Sequence, residues 1–362
     1  MKVVIIATEP SGDFLGFKLI KSLKKKKKIE IEGIGGELMK SIGFSSWVSI
    51  NNFNAIGIYE VIIRIFKFIK LFNFVEKKIR NFAPQLIITI DAPSFNYRLA
   101  SRIQDLRRNT KLVHYVAPSV WAWKSYRAKV FSRLYDEIFT LFNFEPPYFK
   151  KYGLKAEFVG HQIFYDNYSK VRKDKIISFL PGSRTVEIKN NMKKMKDIII
   201  NSLDKFRDYK LYILTFKKNE KLIKNILHNY NVHIVSDFTK KQQLMKKSFL
   251  AITASGSVTL ELIKYETPML VVYDAHIITR ILIKLLVKVK FASLINIILK
   301  KEVLPEFLFE KFSSIFVIKE MNKLINNKKL RSKQISNFKK FSKMMLVNGQ
   351  NPADLIVKKL KI

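Results

Sequence analysis

The 362-residue chain contains no cysteine. That excludes disulfide bonds, thiolate nucleophiles and thiolate-ligated metals, and it fits a reducing compartment. Its five histidines are scattered without the spacing of a metal site, so neither a metal nor a cofactor is expected. Acidic residues number 29 against 67 lysines and arginines, leaving a net charge of +38. The excess has several readings: nucleic acid, an anionic membrane surface, anionic substrates, or a compositional bias that also inflates Asn, Ile and Phe. The run 24–28 reads as a solvated turn rather than a recognition patch.

Long apolar runs are also missing. Residues 61–75 are interrupted by Arg64, Lys67 and Lys70, and residues 277–299 by Arg280, Lys284, Lys288 and Lys290. Neither offers the roughly 18 uncharged apolar residues of a membrane span. The charges recur every three or four positions, so each stretch reads as an amphipathic helix, lying on a membrane surface or packed on a sheet. The opening run 1–6 is too short for a secretory signal. The expected location is cytoplasmic, peripheral on a membrane. A GxGxxG loop is absent after the first strand, which argues against a dinucleotide site, and no Walker loop, GxSxG, HExxH or CxxC occurs. No internal repeat is evident.

What is present is a folded, two-domain composition. Hydrophobic residues make up 48% and aromatics 13%, and the length exceeds the roughly 250–300 residues at which one core stops growing. Short apolar runs alternate with helical periods, which predicts parallel, doubly wound sheets. Strands are expected at 2–7, 30–34, 85–90, 111–116, 137–141 and 156–159, with helices at 12–23, 57–81 and 97–107. After a polar pause at 160–175 the alternation resumes, with strands at 175–180, 210–216, 232–236, 249–254 and 269–273. The predicted architecture is α/β, two Rossmann-like domains at 1–165 and 166–345 facing across a cleft. A helical tail at 346–362 has no assigned partner.

The segment 113–124, Val-His-Tyr-Val-Ala-Pro-Ser-Val-Trp-Ala-Trp-Lys, concentrates rare residues. Pro118 ends a buried strand, and Ser119 is expected to cap a helix carrying Trp121, Trp123 and Arg127. Strand-to-helix turns of this kind hold ligands in α/β sheets; the alternative is a Trp-rich packing corner. In Glu9-Pro10-Ser11-Gly12-Asp13 the carboxylates of Glu9 and Asp13 suit a sugar hydroxyl, or Asp13 serves the helix dipole. Asp91 ends the 85–90 strand and is the best-placed general base, or else a loop-bracing cap. Leu180-Pro181-Gly182-Ser183-Arg184 offers a fixed guanidinium suited to a diphosphate. Ser255-Gly256-Ser257 presents amides and hydroxyls as an anion cradle, with Glu261 in reach of a ribose hydroxyl.

Taken together, these motifs resemble the lipid-A-disaccharide synthase family along nearly the whole chain. The segments are EPSGD at 9–13, GIGG at 33–36, GIYEV at 57–61, IDAPSFN at 90–96, HYVAPSVWAWK at 114–124, FVGH at 158–161, LPGSR at 180–184, ASGSVTLE at 254–261 and PMLVVY at 268–273. The resemblance implies a GT-B fold without a metal. It implies inverting transfer of 2,3-diacylglucosamine from its UDP conjugate to 2,3-diacylglucosamine 1-phosphate, with a β-1′,6 bond formed and UDP released. On it, Asp91 is the base for the acceptor 6-hydroxyl, with Glu9 in support. Ser11, Asp13, His114, Trp121, Trp123 and Arg127 fall on the acceptor side. Arg184, Ser255, Gly256, Ser257, Glu261, Asn296 and Glu306 fall on the UDP side. The chain departs from the family at Ile295, where proline is usual, and at Phe309, where glutamine is expected.

The resemblance also implies work at the cytoplasmic face of the inner membrane and no nucleic-acid partner. Two alternatives differ in class. One is another GT-B enzyme acting on an unacylated UDP-sugar, such as a UDP-N-acetylglucosamine transferase or an epimerase. The other is a non-catalytic basic membrane or nucleic-acid binder.

Overall fold

The computed structural model describes the chain except residues 26–27, 54–57, 167–168, 231, 278 and 282–288, with backbone alone at 51 and 58–67. Gly57 of the GIYEV motif, the centre of the 24–28 lysine run, and Lys284 and Lys288 of the 277–299 stretch therefore lie outside the described residues. The chain divides into two compact units, residues 1–165 with 345–362, and residues 166–344.

The first unit is built on a seven-stranded parallel sheet. Its strands are β1 (Lys2–Ala7), β2 (Glu30–Ile34), β3 (Ser45–Ser46), β4 (Leu86–Ile90), β5 (Lys111–Tyr115), β6 (Glu137–Thr140) and β7 (Lys155–Phe158), in the order β3-β2-β1-β4-β5-β6-β7. Val3–Ala7 and Ile87, Ile88 and Ile90 are fully buried. Continuous Val/Ile runs suit strands covered on both faces, where each such side chain contributes roughly 1.5–3 kcal/mol. Helices Pro10–Lys24, Ile58–Phe82, Pro93–Arg102 and Arg127–Leu134 supply the cover. The expected helix 97–107 begins four residues earlier, because Pro93 supplies the fixed φ of a first helical position; it ends at Arg102 and continues as a 3₁₀ turn over Gln104–Arg108.

The final helix, Pro352–Lys359, packs on helix Pro10–Lys24, and Ser22 Oγ donates to Asp354 Oδ1 at 2.6 Å. Lys359 pairs with Glu157, and the His161 amide donates to Met345 O at 3.0 Å.

The second unit carries a six-stranded parallel sheet. Its strands are β8 (Asp174–Leu180), β9 (Lys210–Leu214), β10 (His233–Val235), β11 (Ser248–Ala254), β12 (Met269–Tyr273) and β13 (Glu306–Leu308), ordered β10-β9-β8-β11-β12-β13. Strands β3 and β13, of two and three residues, have no counterpart among the predicted elements; neither is long enough to show a periodic signal. Helices Thr185–Lys205 and Ser314–Asn326 cover one face through Met192, Ile199, Val317 and Met321. Gln334 closes the start of β12 by accepting from the Met269 amide at 2.8 Å and donating to its carbonyl at 3.1 Å.

Candidate active site

In each sheet the chain leaves a central strand in opposite directions, at β1/β4 in the first and β8/β11 in the second. Ligands of open α/β sheets sit beyond the strand C-termini at such points. Glu9 and Ser11 follow β1, Asp91 follows β4, and Asp91 and Ser11 meet there: Ser11 Oγ donates to Asp91 Oδ2 at 2.7 Å. Glu9 and Ser11 are exposed and Asp91 half-buried. Helix Pro10–Lys24 comes this close because residue 12 is glycine; a Cβ there would lie 3.3 Å from both Ala7 Cβ and Ile90 O.

The backbone at this edge is strained. Asp91 (φ 54°), Ala92 (φ 43°) and Val116 (φ 79°), the residue just past β5, take left-handed conformations. For a β-branched residue that is a true outlier, of the kind that gathers at functional sites. Asn96, fully buried, holds the turn by donating from Nδ2 to Asp91 O at 2.7 Å. A buried relay backs it: Tyr135 Oη donates to Asn96 O at 3.1 Å, and Thr89 Oγ1 lies 3.1 Å from Tyr135 Oη and 2.7 Å from His114 Nδ1.

Two acceptor-side expectations and one expected helix cap are corrected here. His114 has no exposed surface and packs edge-on to Phe131. Burial drives its imidazole down to about 3, so it is a neutral core group behind Asp91 rather than a ligand contact. Asp13 is buried and faces inward, with its carboxylate accepting from the amides of Gly36 (2.8 Å), Leu38 (3.0 Å) and Met39 (3.0 Å). It braces the turn after β2. Ser119 does not begin a helix. Its carbonyl accepts from Ala122 (3.0 Å) and Trp123 (3.3 Å) in a turn that stops at Lys124 in left-handed φ, and the helix starts at Arg127.

The Trp loop is nonetheless tied to the Asp91 edge, since Arg127 Nη2 donates to Ser94 Oγ at 3.1 Å. Trp123 is exposed, with Lys124 Nζ 4.3 Å and the Arg127 guanidinium 5.7 Å from its ring. Trp121 is half-buried and donates from Nε1 to Glu145 Oε1 at 3.2 Å. Glu145 is a residue the sequence reading passed over; burial pushes its carboxyl up to about 8. The available signal was an acid set among phenylalanines and prolines in Phe142-Asn143-Phe144-Glu145-Pro146-Pro147. Beside Glu9, Thr8 and Ala92 lies a cavity of about 700 Å³ walled by Phe53, Phe68, Ile69, Phe72 and Phe95, with Arg98 also lining it.

In the second unit, the loop Pro181-Gly182-Ser183-Arg184 follows β8 and leads into helix Thr185–Lys205. Gly182 is required: its φ is 128°, and a Cβ would lie 2.6 Å from the Glu187 carboxyl. Glu187 Oε2 accepts from the Ser183 amide at 3.0 Å and fixes the loop. Arg184 is exposed. From β11 comes the 255–257 loop. A cavity of about 150 Å³ brings together Gly182, Ser183, Ser255, Gly256, Ser257 and Glu261. Burial raises the Glu261 carboxyl, opposed by Lys241 and Lys264.

Asn296 and Glu306 do not line this cavity. Glu306 accepts from the amides of Ala292 (2.7 Å) and Ser293 (2.9 Å), from Ser293 Oγ (2.6 Å) and from Asn296 Nδ2 (2.8 Å). Asn296 Oδ1 in turn accepts from the Val303 and Leu304 amides at 2.7 and 2.9 Å. The pair therefore holds the 292–293 loop, whose Ala292 carbonyl accepts from Ser255 Oγ at 2.9 Å. Phe309 is buried in left-handed φ against Tyr273, its carbonyl bound by Lys194 Nζ. Asp274, also missed in the sequence, is buried between Lys194 (3.1 Å) and Arg280 (2.7 Å) just past β12. Among the described residues no cluster of His, Asp and Glu is arranged to hold a metal, and no helix is long and apolar enough to cross a membrane.

Two doubly wound parallel sheets in one chain define a protein of the GT-B type. The fold is similar to that of S. aureus MnaA in its co-structure with UDP (TM-score 0.69, 15% identity, 99% of this chain and 96% of that one). It is also similar to UDP-GlcNAc 2-epimerase from Neisseria meningitidis bound to UDP-GlcNAc (TM-score 0.67, 13% identity, both chains covered fully). The chain belongs to the lipid-A-disaccharide synthetase family, whose model matches residues 3–360. Lipid-A-disaccharide synthases from Rickettsia prowazekii and Rickettsia typhi are 35% and 34% identical to it over 378 residues, covering 99% of this chain and 98% of each relative.

Proposed function

We propose that the chain is an inverting glycosyltransferase that makes the lipid A disaccharide. Its donor is UDP-2,3-diacylglucosamine, its acceptor 2,3-diacylglucosamine 1-phosphate, and its products the β-1′,6-linked disaccharide 1-phosphate and UDP. Family membership along almost the entire chain carries this reading. The Asp91 edge supplies its base. A carboxylate held by Ser11 on a strained turn is pre-oriented to take the proton of the acceptor 6-hydroxyl. The hydroxyl oxygen then bonds to donor C1 while the C1–O bond to UDP breaks, and the electron pair leaves on the β-phosphate oxygen.

The departing diphosphate needs positive or dipolar stabilisation. Arg184 and the amides of Ser183 and 255–257 are the groups we assign to it, with Glu261 on the ribose. Glu9 is assigned as a supporting acidic group. The acyl chains of both substrates, the net charge of +38 and the exposed Ile69 and Phe74 beside Lys70, Lys77 and Lys78 support a peripheral place on an anionic membrane face.

The test is turnover of the acylated donor and acceptor, with UDP-GlcNAc run in parallel. Disaccharide from the acylated pair alone is the expected result. Activity restricted to the unacylated sugar nucleotide would favour the epimerase-like alternative, whose one support is the fold of its structural neighbours.

A further inference from the structure

Two guanidiniums converge on Ser94, three residues past Asp91. Arg98 Nη1 donates to Ser94 O at 2.7 Å, and Arg127 Nη2 donates to Ser94 Oγ at 3.1 Å. Arg98 sits one turn further along helix Pro93–Arg102, whereas Arg127 opens the helix that follows the Trp loop. Like charges held on one serine repel. Three neighbouring arginines are each met by a carboxylate: Arg80 by Glu76 and Asp105, Arg102 by Glu76, and Arg107 by Asp136. Arg98 and Arg127 have no carboxylate partner among the described residues, and Arg127 Nε is buried without any hydrogen-bond partner. The pair is short of one anion.

The surroundings say what carries that anion. Ser94 and Arg98 line the 700 Å³ cavity beside Glu9. Inside it the Phe95 ring stacks on Phe72, with centroids 4.6 Å apart, and meets Phe53 edge-on at 4.9 Å. An apolar cavity with a few convergent polar groups is the usual form of a small-molecule site, and a cationic rim on aromatic walls suits an amphiphile with an anionic head. In a hexose, C1 and the carbon that bears C6 flank the ring oxygen. With a 6-hydroxyl at Asp91, a group on C1 therefore lies one ring's width away, on the scale of the three residues between Asp91 and Ser94.

We propose that Arg98 and Arg127 form the seat of the acceptor's 1-phosphate, with the Phe53, Phe72 and Phe95 cavity taking an acyl chain of the same molecule. The proposal rests on the acceptor reading of the Asp91 edge. A guanidinium fork binds two phosphate oxygens at once, so the two arginines select the acceptor by its charged head and take no part in the proton transfer. A phosphate on an amphiphile has two sources, the acceptor and a phospholipid headgroup, and the experiment separates them.

The experiment compares kcat/KM for 2,3-diacylglucosamine 1-phosphate and for 2,3-diacylglucosamine in neutral detergent micelles. It uses the full chain and its variants Arg98→Gln, Arg98→Lys and Arg127→Gln. Arg98 is exposed, so its variants should melt with the wild type. The expected result is a preference for the phosphorylated acceptor that falls roughly ten- to a hundredfold in each glutamine variant. Arg98→Lys, which keeps the charge without the fork, should lose less. Sedimentation with phosphatidylglycerol vesicles should be the same for the wild type and the glutamine variants. Equal losses on both acceptors, or an unaltered preference, would overturn the phosphate seat while leaving the Asp91 edge standing. Lost vesicle binding with an unaltered preference would overturn it in favour of a lipid headgroup. A wild type that forms disaccharide from neither acceptor would bring down the acceptor reading and the seat with it.

Discussion

Ser11 Oγ and Asp91 Oδ2 are joined by a 2.7 Å hydrogen bond across 80 residues of sequence. The bond ties the first turn of one helix to the end of a neighbouring strand at the point where the sheet reverses its winding. A carboxylate so held keeps its second oxygen on the Ala92 amide, at 2.8 Å, and cannot swing away from an incoming hydroxyl.

Two substitutions separate the base from its orienter. Asp91→Asn should lower turnover by roughly 10²–10⁴, the range for a general base. Ser11→Ala removes one hydrogen bond to a charged group, worth about 1.5–3 kcal/mol, and should lower turnover by roughly ten- to a hundredfold. Disaccharide formation under saturating substrates checks both; a Ser11→Ala enzyme as fast as wild type would remove the orienting role.

His114 yields a prediction about acid stability. Its imidazole is held down to about 3 in the fold against an ordinary 6.5. Between those values the unfolded chain binds a proton that the folded chain refuses. The stability this represents is present above pH 6.5 and is lost as pH falls toward 3, with a slope approaching about 1.4 kcal/mol per pH unit. Urea midpoints at pH 7 and pH 4.5 should therefore lie closer together in His114→Gln than in wild type. Parallel pH curves would show that His114 titrates in the fold as it does in the open chain.

The sheets were legible because parallel strands buried on both faces are unbroken Val/Ile runs. β1, β2 and β12 follow the boundaries read from sequence to the residue. The strand-end positions of Asp91, Arg184 and 255–257 followed from that alone. The direction of the side chains did not. Asp13 and His114 carry the same residue types as ligand contacts, yet each is turned inward by partners over 20 positions away in sequence, Gly36 to Met39 for one and Thr89 for the other. Asn296 and Glu306 were read as donor contacts by family pattern, and only their bonds to the 292–293 and 303–304 backbone show them facing loops.

Glu145 couples Trp121 to pH. With its carboxyl raised to about 8 by burial, it is largely neutral at pH 6.5 and ionises toward pH 9.5. Ionisation strengthens the bond it accepts from Trp121 Nε1, at 3.2 Å in the structure. The same shift means that stability present below the ordinary value near 4.5 is lost as pH rises through 8. The Trp121 indole N–H resonance, assigned by its loss in Trp121→Phe, should move with a midpoint near 8 and stay fixed in Glu145→Gln. A resonance that does not titrate in wild type would refute the coupling.

Glu261 and Glu306 belong to the same family pattern but do different things, and the two are separable by experiment. Glu306 holds four donors, three of them on the 292–293 loop and one on Asn296. Glu306→Ala strands these donors half-buried. At about 1–3 kcal/mol for each group left unsatisfied the four donors cost about 4–12 kcal/mol, and at 2–4 °C per kcal/mol the melting temperature should fall by at least about 8 °C. Glu261 lines the cavity, and burial alone already pushes its carboxyl toward the neutral form. Glu261→Gln relieves that burial cost, so its melting temperature should hold or rise, while UDP binding weakens about tenfold through loss of a charged hydrogen bond to the ribose. Thermal melts and UDP titrations on both variants decide the matter. Should Glu306→Ala melt normally and lose UDP, the carboxylate faces the ligand and the bracing role is wrong.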